Sequence, residues 1–185
     1  RKTLVFILAA LMVFTLLPRT SMAEEPICHI DDTMYTNLGT AIASVGEGET
    51  KTIKLLTNVD YTDSIVIAGR SIIFDLNGHT LNVISNSDKA LSVVDGIVDY
   101  LDEPETGAFN VTTTFYTDLG NSYAVWAENN GTATVTTAAA MSVGSGVGAG
   151  AGSGGNVRVK GNSSGARFGA IAINEGQIVI DGNAQ

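Results

Sequence analysis

Cysteine is nearly absent from this chain, with one in 185 residues. That excludes an internal disulfide framework and any Cys-rich zinc site. Positive charge is also scarce: ten Lys and Arg stand against nineteen Asp and Glu, a net −9. Affinity for phosphate comes from clustered cations, so the balance argues against a general nucleic-acid or anionic-membrane binder. No apolar run reaches the roughly 20 residues that span a bilayer. With 44% hydrophobic residues, however, the chain has too much apolar content for a wholly disordered polymer.

The first 23 residues carry the marks of a secretory signal peptide. Arg1 and Lys2 form a short basic start, and Leu4 to Leu17 is an uncharged run of 14 residues. Pro18 breaks it, and Ser21-Met22-Ala23 puts small residues at a cleavage site before Glu24. Cys28 follows Glu25-Pro26-Ile27, which is no lipobox. Cleavage removes Arg1, Lys2 and Arg19, leaving seven basic against nineteen acidic residues, a net −12. The expected location is extracellular, at a bacterial cell surface. The chain starts without Met and ends inside a repeat, so a piece of a longer polypeptide is expected.

Residues 24–50 read as a cap. Ile27 to Tyr35 form a short paired strand turned at Asp31-Asp32. Asn37 is placed to cap a helix whose Leu38, Ala41, Ile42 and Val45 recur at helical spacing, with Gly46 and Gly48 ending it. From Thr52 the period becomes two. Ile53 and Leu55, Ile65 and Ile67, and Ile72, Phe74 and Leu76 alternate with other residues; Asn77-Gly78 gives a tight turn before Leu81 and Val83. Short strands broken by polar turns predict an all-β fold.

Internal repetition decides which one. Anchored on Gly131, Gly155 and Gly176, three 13-residue blocks align without a gap: YAVWAENNGTATV from Tyr123, VGAGAGSGGNVRV from Val147 and FGAIAINEGQIVI from Phe168. A fourth, partial block is expected at Gly107 to Val111. Repeats of 21–24 residues cannot bury an apolar face alone, but stacked coils can. The predicted architecture for residues 51–185 is a right-handed parallel β-helix, a solenoid behind a short strand–helix cap. Ala133, Val157 and Ile178 form one inward ladder and Val135, Val159 and Ile180 another, with Thr134, Arg158 and Val179 outside. The Leu and Asn framework of leucine-rich repeats is missing. Gly144 to Gly155, with seven glycines in twelve residues, reads as a thin rung or as a flexible linker.

Two stretches carry a family resemblance: Thr52-Ile53-Lys54-Leu55-Leu56-Thr57-Asn58-Val59, and Ile72-Ile73-Phe74-Asp75-Leu76-Asn77-Gly78-His79-Thr80-Leu81. Together with the Tyr35–Gly48 segment they resemble the opening of large secreted surface proteins of Gram-positive bacteria. The resemblance implies a right-handed parallel β-helix of the pectin-lyase-like superfold, and it implies little about activity.

Chemistry-bearing residues are few. A polysaccharide lyase needs carboxylates holding Ca²⁺ and a positioned Arg or Lys; a glycoside hydrolase needs a carboxylate pair at fixed separation. Arg158, Lys160 and Arg167 fall in or near one coil, with no acidic residue at the matching position of the next, where Val179 stands. They are the candidate surface contacts. Asp75 and Asp181 stand alone. No catalytic or cofactor-binding residue is assigned. Asp95, Asp99 and Asp102, with Glu103 and Glu105, are the weak metal candidates, for Ca²⁺, and also read as a solvated loop insertion. His29 and His79 lack a second ligand. Tyr123 and Trp126 suit either sugar stacking or a core position at a coil corner. The Asn-x-Ser/Thr triplets at Asn110, Asn130 and Asn162 read as turns.

The expected function is a non-enzymatic secreted or cell-surface module: a stalk, adhesin or glycan-contacting part. Its expected partner is an extracellular polysaccharide or a host or cell-wall surface, not nucleic acid, and the mature chain has no transmembrane segment. The alternative is the N-terminal part of a carbohydrate-active enzyme, a polysaccharide lyase or glycoside hydrolase, whose catalytic residues lie beyond Gln185.

Overall fold

The computed structural model describes residues 24–103, 105–116 and 120–185. The signal-peptide expectation for residues 1–23 lies outside the described residues. Among those described, no helix is long and apolar enough to cross a membrane.

The chain is a parallel β-solenoid of about five turns behind a small cap. The cap holds β1 (Cys28–Ile30), β2 (Thr33–Tyr35) and α1 (Leu38–Ala43). The first coil runs through β3 (Thr50–Leu55), β4 (Val59–Tyr61) and β5 (Ile65–Ala68), and the second through β6 (Ser71–Asp75), β7 (Thr80–Ser85) and β8 (Lys89–Val94). Then come β9 (Ile97–Leu101), β10 (Ala108–Thr113) and β11 (Ser122–Glu128), followed by β12 (Thr132–Val135), β13 (Thr137–Ala140) and β14 (Gly146–Ala151). The fifth coil has β15 (Asn156–Val159), β16 (Ser163–Gly165) and β17 (Phe168–Ala172), and β18 (Gln177–Ile180) begins the next. Each coil places one strand in each of three sheets. The first is ordered β18-β15-β12-β9-β6-β3-β1-β2, the second β16-β13-β10-β7-β4 and the third β17-β14-β11-β8-β5.

The inward ladders are as expected. Ala133 pairs with Val157 and Val157 with Ile178, while Val135, Val159 and Ile180 form the next row. Like side chains stacked about 4.8 Å apart fill the centre. In earlier coils the filler is larger, with Phe74 and Phe109 edge-to-face at 5.3 Å between centroids. The repeat has a physical cause at each anchor. Asn129 and Asn130, Ser153 and Gly154, and Asn174 and Glu175 all have positive φ, the signature of a type I′ turn. The anchor N–H then donates to the carbonyl three residues back at 2.9 Å in all three copies. A Cβ on Gly131, Gly155 or Gly176 would collide with the carbonyl oxygen of Val93, Ala127 or Ala151 in the preceding coil. Only glycine fits under that oxygen.

Four details depart from the sequence reading. Gly107 to Val111 is no copy of the anchor block: β10 lies in the second sheet and pairs with β7 and β13. The true predecessor of Ala133 is Val98 in β9, behind a turn one residue shorter at Asp95-Gly96, which a gapless comparison passes over. Asn77-Gly78 makes its tight turn, but as a corner carrying the chain from the first sheet to the second. Helix α1 stops at Ala43 with Ser44 as its C-cap, two residues before Gly46. Asn110 sits within β10 and not in a turn.

The glycine-rich segment is a rung. All six residues of β14 are buried, with Ala149 and Ala151 inside. The cap closes the first coil with buried Leu38, Ala41 and Ile42, and Asn37 Oδ1 accepts the Thr40 N–H at 3.0 Å as the N-cap. Arg70 ties coil to cap by donating from Nη1 to the Val45 carbonyl at 2.6 Å.

A polar ladder runs along the second sheet. Asn82 Nδ2 donates to Asp60 Oδ1 at 2.8 Å, Asn110 Nδ2 to Asn82 Oδ1 at 3.0 Å, and Thr137 Oγ1 to Asn110 Oδ1 at 2.7 Å. Every donor points toward the N-terminal end. A carboxylate, which only accepts, is the fitting terminus for such a chain.

Candidate functional site

The seven cations among the described residues fall into distinct settings. Lys51 pairs with Asp31 at 2.8 Å, Lys54 with Asp75 at 3.2 Å and Arg158 with Asp181 at 3.0 Å. The hydrogen bond and charge of Asp31 raise the Lys51 pKa. Arg158 thus has an acidic partner after all, and neither Asp75 nor Asp181 stands alone. The Val179 comparison failed because the Arg158 arm reaches along the next strand to its far end. Lys160 lies with Nζ 3.9 Å from the centroid of Tyr100, in a 270 Å³ cavity that Asp102, Glu105 and Gly107 also line. Lys89 lies 5.6 Å over the Trp126 ring, and Arg167 lies 5.2 Å over Phe168.

Arg158, Lys160 and Arg167 therefore do not converge. The first is outside on the first sheet, the second at the corner between the first and second, and the third at the edge of the third sheet. What the fold does assemble is Arg167 with Lys89, Tyr123, Trp126 and Phe168 on the outer face of the third sheet. Lys89, Tyr123, Val147 and Phe168 share one register row, and Ser92, Trp126, Gly150 and Ile171 share another. Leu91, Val125 and Ala149, in the row between, point into the core.

Trp126 packs over glycine. A Cβ on Gly150 would come within 2.5 Å of both the Trp126 and Tyr123 rings, and one on Gly152 within 3.0 Å of Trp126. Gly150 and Gly152 thus leave room for these rings, whose centroids lie 4.5 Å apart with the planes tilted by 52°. Trp126 is 7% exposed, yet it stands outside the main core cluster, and its Nε1 has no hydrogen-bond partner. A polar rim joins the pieces: Arg167 Nη1 donates to Asn121 Oδ1 at 2.9 Å, and Asn121 Nδ2 donates to the Tyr123 hydroxyl at 3.1 Å. Around this aromatic platform Phe168, Ile173 and Val66 are 43%, 46% and 54% exposed. The core-corner reading does not describe Trp126, which lies outside the core cluster. Trp126 is buried on the outside.

Sequence reasoning missed Lys89 entirely. Its signal, a cation in register with Tyr123 and Phe168, appears only once the coils are aligned through unequal loops.

The acidic candidates are dispersed. Asp95 is a turn residue with φ of 49°, and Asp99 Oδ1 accepts the Tyr100 N–H at 2.8 Å. Asp102 bridges two chain segments, accepting the Gly78 N–H at 3.0 Å on one oxygen and the Gly107 N–H at 2.6 Å on the other. Among the described residues, no three of His, Cys, Asp and Glu gather closely enough to hold a metal ion. Burial pushes the Cys28 thiol up to about 11. Burial, with the charge of Asp63, also raises the Tyr61 pKa.

No family model, curated protein or solved structure matches the chain.

Proposed function

We propose that this protein is a secreted or cell-surface β-helix module that contacts glycans without transforming them, as a stalk or adhesin part of a larger polypeptide. The observation that carries this reading is the third sheet's outer face, where the half-buried Tyr123 and the exposed Phe168 rings stand beside exposed Ile173 and Val66, over the buried Trp126. Flat aromatic faces with adjacent hydrogen-bonding groups suit sugar rings, which offer C–H faces and hydroxyl edges. Several acidic side chains elsewhere on the exterior are tied to the fold. Asp31, Asp75 and Asp181 are in ion pairs, Asp60 ends the Asn82–Asn110 ladder, and Asp102 bonds backbone. These contacts link coil to coil and stiffen a rod, as suits a spacer. Membership among the pectin-lyase-like surface proteins of Gram-positive bacteria belongs to this proposal. It rests on the Thr52–Val59 and Ile72–Leu81 stretches.

The test has two parts. Expression of the whole chain in a Gram-positive host gives an extracytoplasmic product beginning at Glu24; a cytosolic product that keeps Arg1 contradicts the location. Incubation with insoluble polysaccharides and peptidoglycan retains the protein and releases no soluble oligosaccharide. Retention with steady product release favours the carbohydrate-active enzyme, and retention by none of them overturns glycan contact.

A further inference from the structure

We infer that the corner between the second and third sheets is a lipid-contacting knuckle, which dips apolar side chains into the surface of a bilayer. Its lipid contact does not depend on glycan contact, and either can fail without the other. Two long links build it. Residues 114–121 join β10 to β11 and residues 141–145 join β13 to β14, whereas the second and fifth coils turn the same corner with residues 86–88 and 166–167. The long links start one rung apart, since the Met141 N–H donates to the Thr113 carbonyl at 2.9 Å.

The later link is built inside out. Ser142 and Ser145 are each 3% exposed, whereas Met141 and Val143, on either side of Ser142, are 70% and 79% exposed. Those two are the most exposed large apolar side chains among the described residues, and Tyr116 on the neighbouring link is 59% exposed. Hydroxyl and backbone bonds pin the base of each link. The Ser142 and Ser122 hydroxyls share a hydrogen bond, the Ser122 N–H donates to the Ser145 carbonyl at 3.1 Å, and the Gly146 N–H donates to the Ser142 carbonyl at 3.2 Å. Buried Thr113 Oγ1 donates to the Ser87 carbonyl at 2.7 Å and accepts the Phe115 N–H at 3.1 Å. The apolar side chains are therefore presented outward from a fixed base.

Charge and size choose the occupant. No charged residue stands between Glu128 and Arg158, and Asp118 is the one charge in the two links. Tyr116, Met141 and Val143 together expose roughly 400 Å², well short of the ~800 Å² that each partner of a stable protein interface buries. A bilayer needs no matching pocket, and it takes an apolar tip with a Tyr at the headgroup level. Arg167, in the short link one coil on, stands at the rim. Its Nη1 donates to Asn121 Oδ1 at 2.9 Å and it is in no ion pair among the described residues, which places it for a headgroup phosphate.

The test sediments the purified protein with vesicles of phosphatidylcholine, and with vesicles of an equimolar mixture with phosphatidylglycerol. The net acidic protein should bind the neutral vesicles at least as tightly as the anionic ones, and high salt should not release it. Met141→Ser with Val143→Ser should weaken binding at least tenfold. Both side chains are exposed, so circular dichroism and thermal melting should stay unchanged. Arg158→Ala, on the first sheet, should bind as the unsubstituted protein does. A polarity-sensitive fluorophore attached after Val143→Cys, with Cys28 buried, should shift to the blue when vesicles are added. No binding to either vesicle, full binding by the doubly substituted variant, or an unmoved fluorophore overturns the inference. So does binding to the anionic vesicles alone that salt abolishes, since the contact is then electrostatic. A dimer that the double substitution dissociates, with no vesicle bound, gives the knuckle to a second copy and overturns the lipid.

Discussion

Removing the Asp102 carboxylate should loosen the second and third coils more than any ordinary surface substitution. Its two oxygens accept backbone N–H groups from Gly78, at the corner after β6, and from Gly107, just before β10. Hydrogen bonds to a charged acceptor contribute about 1.5–3 kcal/mol each, and water recovers part of that at half-buried donors. Asp102→Ala should therefore cost about 2–4 kcal/mol, and Asp102→Asn, which keeps one acceptor, about half as much. At roughly 2–4 °C per kcal/mol for a chain of this size, the alanine variant should melt about 10 °C lower. The assay is urea and thermal unfolding followed by circular dichroism at pH 7, with and without millimolar Ca²⁺. A loss under about 0.5 kcal/mol, the ordinary range for surface changes, would refute the role assigned to this carboxylate. So would a Ca²⁺ stabilisation of the unsubstituted protein that Asp102→Ala abolishes, which would make Asp102 an ion ligand.

Three further outcomes follow from the same geometry. Gly155→Ala should destabilise by about 2–3 kcal/mol in urea unfolding, because its Cβ meets the Ala127 carbonyl and neither backbone segment can retreat. Asn110→Ala removes two rungs of the polar ladder and should cost about 2 kcal/mol, with faster hydrogen exchange in β7, β10 and β13. The buried Cys28 thiol should resist alkylation at pH 8 while the protein is folded. Its pKa is raised from 9 to about 11, so the folded state favours the neutral thiol. That stability is complete below pH 9 and is lost as pH rises toward 11. The loss reaches at most about 3 kcal/mol, and Cys28→Ala should flatten the decline.

The solenoid was legible because its most regular part is also its most repetitive in sequence. From Tyr123 to Ile180 each coil keeps its I′ turn and the four-residue strand after it, so Gly131, Gly155 and Gly176 align without gaps. Between Gly96 and Gly131 the third coil carries extra residues in its corners, and the shorter turn at Asp95 shifts the count. Residues that stack in space there are not equally spaced in the chain. The same irregularity hid the platform, since Lys89 and Tyr123 are register neighbours across that long coil while Tyr123, Val147 and Phe168 follow one another across short ones. Seven glycines in twelve residues suggested slack because propensity counts only a strand's own side chains. In β14 the Tyr123 and Trp126 rings occupy the space that Gly150 leaves, and Gly146 and Gly148 let neighbouring chain approach closely. The Arg158–Asp181 pair escaped notice for a simpler reason: matching positions were compared, and a guanidinium arm spans more than one.

The measurement that bears most directly on the account is a methyl- and aromatic-resolved NOE experiment on the purified protein. The Ala133 methyl should contact Val157, and Val157 should contact Ile178, while the Trp126 ring should show contacts to the α-protons of both Gly150 and Gly152 and none to Val125. That result places the repeat in parallel register and the aromatic platform on its outer face. Contacts pairing these strands antiparallel, or a Trp126 ring among Leu91, Val125 and Ala149, would contradict both the fold and the binding face built on it.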